Sequence, residues 1–433
     1  MKGNFQIFIV ILFLAFAVFA VFIFAGIIPI GQSKNSANTP VGKVTIWGTF
    51  PRGQFSKVLD NLNSGNKDLV ISYVEKSKDT YQQDLLESFA SGTSPDVFVL
   101  SDDLIIKEQK QISPIPYASY PQKTFTDTFV DGGSIYLGKD GILGMPVILD
   151  PLVLYYNKDL LANQGIAQPP SYWDELFNLS DKLTQKTNDG TIRSSMIALG
   201  GYDNINNAKD ILSLLLIQGG NPIMTKSNDK LGPTLNESFG LSKVPAESVL
   251  NFFSEFSNPT DGAYSWNRSL ISSRDMFTGG KLAFYLGHAS ELFNIEAINP
   301  NLSFDVTSML QTRGTNLKRT TAHMYALAIS KSSQNPTGAL GVVMLLSNPT
   351  NLPDLSAALS LPPARKDLLS IAPTDPYLST FYGEAISARS WLDPDPKASN
   401  GVFRDLVNNV VSNKLKVGDA INKANGQLEV LSK

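Results

Sequence analysis

The hydrophobic pattern divides the chain into two unequal parts. From residue 5 to residue 30 no charge interrupts a run dominated by Phe, Ile, Val, Leu and Ala. A membrane-spanning helix needs about 20 apolar residues, whereas a cleavable signal carries an apolar stretch of roughly 7–15. The run exceeds the second length and no convincing small-x-small site follows it. It predicts an uncleaved transmembrane helix within residues 1–30; cleavage near Ala25-Gly26 is the alternative. Lys2 keeps the amino terminus on the cytoplasmic side, which puts everything after the run outside. Residues 31–42, rich in Ser, Asn, Thr, Gly and Pro, read as a flexible tether. Later apolar stretches, such as 211–217 and 339–346, have the length of core helices or strands.

Beyond the tether the period changes. Residues 44–47 form a short apolar strand pattern. Phe55, Val58, Leu59 and Leu62 repeat at helical spacing, and 70–74 returns to a strand pattern. Tyr81, Leu85, Leu86 and Phe89 predict a second helix with Gly92 as its terminator, and 96–100 a buried strand. This β-α-β-α-β order is that of an α/β fold with a largely parallel sheet. Further strands are predicted at 142–145, 152–156, 281–286, 304–307 and 325–329. Helices are predicted at 158–164, 173–187, 210–218 and 246–257. They dominate after Pro336, the last two covering 402–411 and 417–431.

Composition then removes whole classes of chemistry. The 433 residues have a formal net charge of -3 with scattered Lys and Arg, which excludes the concentrated basic surface of a nucleic-acid binder. Cys is absent, which removes disulfides, thiolate metal sites, thiol nucleophiles and lipid attachment through cysteine. The 2 histidines, His288 and His323, stand far apart with no evident partner, and a histidine-rich metal site is not expected. No nucleophile elbow, zinc-protease, phosphate-loop or dinucleotide motif occurs. Asp393-Pro-Asp395 resembles the start of a calcium loop, but Ala398 occupies the place of the required glycine. No cofactor is predicted, and no residue is assigned a catalytic role.

Several ordered segments together resemble the family 1 extracellular solute-binding proteins of ABC importers, the sugar-type group that includes the maltose-binding protein. Lys43-Val-Thr-Ile-Trp47 is similar to the family's first strand. Residues 81–98 resemble its helix, small-residue turn and Pro-Asp-Val-Phe strand. Gly144-Met-Pro-Val-Ile-Leu-Asp150 and Tyr155-Tyr-Asn-Lys-Asp-Leu160 resemble its crossing segment and the strand–helix that follows. Residues 162–176, 277–287 and 328–336 continue the likeness in family order. The resemblance implies a two-lobed α/β periplasmic-binding-protein-like fold, its lobes joined by crossover strands and closing by a hinge on a ligand between them. It implies a first lobe of 43–149 plus 324–349, and a second of 150–323 plus 350–433. The membrane helix departs from the lipid-anchored or free forms usual in the family and suits a single-membrane envelope.

Sugars call for carboxylates and amides to meet hydroxyls, and for aromatic rings to stack on their apolar faces. Trp47, at the end of the first strand, is either such a ring or a core residue. By resemblance Asp103 takes the place of a ligand-binding acid, with Asp102 beside it as the alternative; either also suits a helix cap. Asp150, at the crossing, replaces the family's sugar-binding acid or serves as a hinge cap. Trp266 lies in a polar-aromatic loop. His288 and Ser290 follow Gly287, where the family places ligand contacts, although Ala289 stands where a maltose-type aromatic is expected. His323 falls at the second crossing, and Trp391 in a Pro-rich loop offers a stacking platform. The expected function is capture of a carbohydrate or similar polar solute outside the membrane, followed by delivery to ABC permease subunits. The alternatives are an extracellular carbohydrate-active enzyme and a sensing domain paired with a membrane receptor.

Overall fold

The computed structural model describes residues 42–65, 68–227, 230–314 and 317–433. The expected membrane helix and all but the last residue of the tether lie outside the described residues. Among the described residues no helix is long and apolar enough to cross a membrane.

The opening pattern folds as its periods dictate. Strand β1 (Gly42–Gly48) pairs in parallel with β2 (Leu69–Glu75) and with β3 (Val97–Ser101). The helices Arg52–Gly65 and Tyr81–Ser91 connect them. Gly92 ends the second helix in the left-handed region, at φ 72°, where a residue without Cβ is favoured. Two antiparallel strands then extend the sheet. One is β4 (Met145–Asn157); the other, much later in sequence, is β11 (Thr320–Ile329).

Strand β4, of 13 residues, takes in the strand predicted at 152–156 and begins at Met145, so that of the strand predicted at 142–145 only its last residue belongs to it, while Ile142 makes isolated bridges to Ile115 and Leu137. Its amino-terminal half pairs with β11, and its carboxyl-terminal half pairs with β9 (Leu282–His288). Pro146 and Pro151 sit within it although proline supplies no ladder donor. The β4–β11 register shifts between Tyr325 and Ala326, which pairs with Pro146. Beyond β9 lie β6 (Ile192–Ile197) and the two-residue β5 (Gln185–Lys186). Strand β10 (Phe304–Thr307) pairs with the far half of β4, and β12 (Ala388–Arg389) with the start of β11. The resulting order is β2-β1-β3-β11-β4-β9-β6-β5, with β4 and β11 shared between the two halves. A separate antiparallel pair is formed by β7 (Met224–Ser227) and β8 (Lys230–Pro233).

Two expectations need correction. The helix predicted over 173–187 breaks into the 3-10 turns Trp173–Asn178, one α-turn Ser180–Leu183, and β5. The Glu175 carboxylate turns back onto the Ser171 and Tyr172 amides, which fixes a tight entry. The second correction concerns the residues after 350. Helix Leu352–Leu359 packs on helix Arg52–Gly65, and Pro362 and Ala364 hydrogen-bond to Leu149 and Val147 of β4. The chain therefore stays with the first half past residue 350. It reaches the second with helices Pro396–Val411 and Val417–Leu431, which pack on helix Pro245–Glu255.

Helix Pro376–Ser387 lies against β4, β10 and β11 and buries Glu384. Burial raises that carboxyl to about 7, against the pull of hydrogen bonds from Ser308 and the Met309 amide. A raised carboxyl favours the folded state while protonated, and this stability is lost as pH climbs through the folded value. Between about pH 4.5 and 7 the loss should be on the order of 3 kcal/mol. Glu384→Gln should flatten this part of the stability profile, as read from urea midpoints across that range; a profile unchanged in slope would contradict the assignment.

Candidate functional site

Strands β3 and β9 run parallel to their neighbours β1 and β6, and each ends at the crevice between the halves. Open α/β sheets present ligand sites beyond such carboxyl ends. The turn after β3 carries Asp102 and Asp103, and His288 is the last residue of β9. His323 stands on β11, paired in register with Asp150 of β4. From the second half comes helix Ala208–Gln218, whose first turn supplies Lys209 and Asp210. These side chains, with Ser390, Trp391 and Asp393, line a cavity of about 40 Å³.

Local contacts fix each group. The Glu291 carboxylate accepts from the His288 amide at 2.9 Å and from Asn207 at 2.6 Å. It thereby ties the end of β9 to the start of the Asp210 helix. The His288 ring places Nδ1 3.0 Å from the Asp150 carbonyl oxygen and Nε2 3.2 Å from Asp210 Oδ2. His323 stacks on it, with ring centroids 4.4 Å apart and planes 22° apart. Its Nε2 lies 3.7 Å from the same Asp210 oxygen, and its Nδ1 lies 3.9 Å from Asp102 Oδ1. Asp102 accepts from the Met324 amide and from the Ser390 hydroxyl. Lys209 pairs with Asp393, and its ammonium lies 5.2 Å from the Trp391 ring centroid.

The electrostatics follow from this crowding. Burial alone would lower the His323 pKa, but the carboxylates of Asp210, Asp102 and Asp103 lift it to about 10. Burial and the His323 charge likewise pull His288 down, and the Asp210 hydrogen bond with the Asp150 and Asp210 charges leaves it above its ordinary value. Desolvation would raise the half-buried Asp210, but His323 and His288 hold it well below the usual carboxylate range. Asp103 moves up, through burial and then through the Asp102 charge.

The structure gathers Asp102, Asp103, His288, His323 and Trp391 of the sequence-selected residues around the cavity. It uses the others differently. Asp150 is buried, and its carboxylate accepts from the Ser290 amide at 2.8 Å, the capping alternative; the Ser290 side chain is exposed. Trp47 is half-buried at the end of β1, under the Lys76 ammonium 3.9 Å from its ring centroid, and does not line the cavity. Trp266 is corrected from a loop platform to a core residue. It is 0% exposed, and its indole N–H reaches Asn204 at 3.1 Å. The two histidines, partnerless in sequence, are the nearest of neighbours. The calcium-loop likeness dissolves: Asp393 takes Lys209, while Asp395 caps helix Pro396–Val411 and pairs with Lys107. Sequence reasoning missed Lys209, Asp210 and Asp393. Asp210 sits on a helix read only for its apolar face, and no local motif marks it.

A cleft between two α/β halves, crossed by strands belonging to both, defines an interlobe binding protein. The sequence profile of the bacterial extracellular solute-binding proteins matches residues 57–377, more than half of the chain, and the chain belongs to that family. Solved structures share its two-lobed fold. One is the cyclic alpha-maltosyl-1,6-maltose binding protein from Arthrobacter globiformis, with TM-score 0.74 and 17% identity over 91% of this chain and 99% of that one. Another is the GacH receptor of Streptomyces glaucescens, with TM-score 0.69 and 16% identity over 90% and 98%. Among curated relatives, the maltodextrin-binding protein MdxE of Bacillus subtilis is 28% identical over 153 residues, which is 34% of this chain and 35% of that protein. A binding protein of Brucella abortus is 27% identical over 125 residues, 28% of this chain and 30% of its own length. The chain thus spans about a third of the length of the curated relatives it matches.

The burial of Trp266 has a direct consequence. Trp266→Ala should lower folding stability by about 3–5 kcal/mol, the usual cost of emptying a large core position. Denaturant unfolding measures this. A loss under about 1 kcal/mol would mean that the ring is not part of the core.

Proposed function

We propose that this chain captures a carbohydrate outside the membrane and hands it to ABC permease subunits, without chemistry of its own. The observation that carries this reading is the crevice beyond β3 and β9. There Asp102, Asp103, Asp210 and Lys209 converge, a donor–acceptor set suited to hydroxyls, beside Trp391, whose buried ring stacks on Phe403 and lies under the Lys209 ammonium. Family membership supports it, as do the maltodextrin ligand in the name of the Bacillus subtilis relative and the saccharide in that of the Arthrobacter protein. The run at 5–30 is proposed as an uncleaved single-pass anchor that holds the body on the extracytoplasmic side.

A cavity of about 40 Å³ is far below the roughly 300–1,000 Å³ of ordinary small-molecule pockets. A neighbouring cavity of about 390 Å³, lined in part by Asp103, Lys209, Asp210 and His323, has room for a small saccharide; a larger one requires the halves to part, with β4 and β11 as the segments about which they turn. Opening separates Lys107 of the first half from Asp395 of the second, 2.6 Å apart in this structure. Both side chains are partly exposed, and such a pair is worth about 0.2–1 kcal/mol, a modest barrier to opening.

Thermal shift of the full-length chain against mono- and oligosaccharides tests the reading. A saccharide at about 100 times its dissociation constant should add roughly 2.7 kcal/mol of stability. Asp103→Asn and Lys209→Gln should each weaken that saccharide by about tenfold or more, near the cost of one lost hydrogen bond to a charged group. If no saccharide shifts the wild-type chain, or if both variants bind as well as wild type, the reading fails.

A further inference from the structure

We propose that the second half carries a separate site for a small aromatic anion, a flat apolar ring system bearing one acidic group. This goes beyond the carbohydrate reading and lies outside its crevice. Helix Ala208–Gln218 connects the two places. Its first turn brings Lys209 and Asp210 to the crevice. Its far end brings Leu215, and Gly219 just beyond it, to a cavity of about 610 Å³. The rise from Asp210 to Gly219 is about 13 Å along the helix axis. Helix Pro245–Glu255 adds Pro245, Val249 and Phe252 to the lining, and the 3-10 turns Trp173–Asn178 add Trp173 and Phe177.

Size and walls set the class of ligand. Small-molecule pockets hold roughly 300–1,000 Å³ and are mostly apolar, with a few polar groups that fix orientation. This cavity fits both terms. The Trp173 and Phe252 rings stand 6.0 Å apart at 73°, and Phe177 and Phe252 stand 5.8 Å apart at 83°. A further flat ring extends such a set, because aromatic pairs favour edge-to-face and offset contacts at about 4.5–7 Å. Phe177 is 42% exposed and Leu241 57%, so a bound ring would cover apolar surface that now meets water. A sugar suits these walls poorly, since its hydroxyls would lose water and meet carbon.

Charge at the rim sets its sign. The lining carries two cations, Lys243 and Arg313, against one carboxylate, Asp174. Arg313 is already engaged. It donates to Asp174 and to Glu175 at 2.9 Å each, and its guanidinium lies 4.0 Å from the Tyr172 ring centroid. Glu175 itself stands outside the lining. Lys243 is exposed, and among the described residues no carboxylate pairs with it. An acidic group on the ligand would meet this ammonium while its ring lies among Phe177, Leu241 and Phe252. A cationic ligand would meet the same ammonium as a like charge.

The test is saturation-transfer NMR of the full-length chain titrated with naphthoate and, separately, with naphthamide, the same rings without the charge. We expect a saturable naphthoate signal in wild type. Ser248→Trp, which fills the cavity from an exposed helix position, should weaken naphthoate by about tenfold or more, since the ring loses its place among the walls. Lys243→Gln should weaken naphthoate by about three- to fivefold, the size of one exposed ion pair, and leave naphthamide unchanged. Urea melts establish that the variants are folded, and the Lys243→Gln comparison judges the proposal even if Ser248→Trp is not. The proposal is overturned if wild type gives no saturable naphthoate signal, or if that signal survives in folded Ser248→Trp. It is also overturned if Lys243→Gln weakens both compounds alike or neither. The saccharide panel keeps the two readings apart. A saccharide shift without naphthoate binding rejects this site alone, and naphthoate binding without a saccharide shift rejects the carbohydrate reading alone. A saccharide that displaces naphthoate would place both in one site and overturn the proposal.

Discussion

The antiparallel pairing of β4 with β11 is the constraint on which the remaining structure depends. Each strand serves both halves of the sheet, so its register sets where one half lies against the other. In that register His323 stands opposite Asp150, and the following β4 residue, Pro151, pairs with Ala322. A slip of one residue would turn each side chain to the opposite face and move His323 out of the crevice. The Thr320 hydroxyl, donating to the Leu152 carbonyl at 2.8 Å, locks the strands just where they leave the first half. In the far half of β4 the buried Tyr155 packs among the rings of Phe277, Tyr285 and Phe304. Both halves thus hang on one pair of shared strands.

The crevice at that junction brings together charges that would each be costly alone. An isolated buried ion is penalised by several kcal/mol, and only well-placed partners offset this. Here most of the charges have more than one. Asp210 meets both histidines, Asp102 meets a backbone amide and a hydroxyl, and Asp393 meets Lys209 and the Ser399 hydroxyl. Asp103 is the least compensated. Its raised pKa reflects burial next to Asp102, with only Ser101 donating to it directly. A carboxyl with a single direct donor keeps acceptor capacity for a further one.

Most of the scaffold was legible in the sequence because its signals are local. Period and turn residues marked β1, β2, β3 and the helices between them, and the final helix matches its observed span at Val417–Leu431. The site was legible only in part, since its geometry is made by contacts between distant segments. Asp102, Asp103 and His323 were found through their positions after a strand or on a crossing. Asp210 was invisible because helical spacing draws attention to the apolar face of Ala208–Gln218 and away from its first turn. Trp266 misled for the converse reason: polar neighbours suggested an exposed loop, yet the ring reaches Asn204 inside the second half. The family resemblance likewise placed residues after 350 in the second half, whereas the β4 backbone holds Pro362 and Ala364 in the first.

A cleft already closed by its own groups sets terms for whatever enters it. A ligand drives a conformational change only through its differential affinity for the two states. A saccharide too large for the cavities beside Asp103 and Asp210 must favour a wider interlobe angle. It must also replace, hydroxyl by hydroxyl, the contacts that the halves now make with each other. Such a change of angle would turn on β4 and β11, the strands that both halves share. Because His323 stands on one of those strands and Asp210 on a helix of the second half, the distance between them is a direct gauge of the hinge angle.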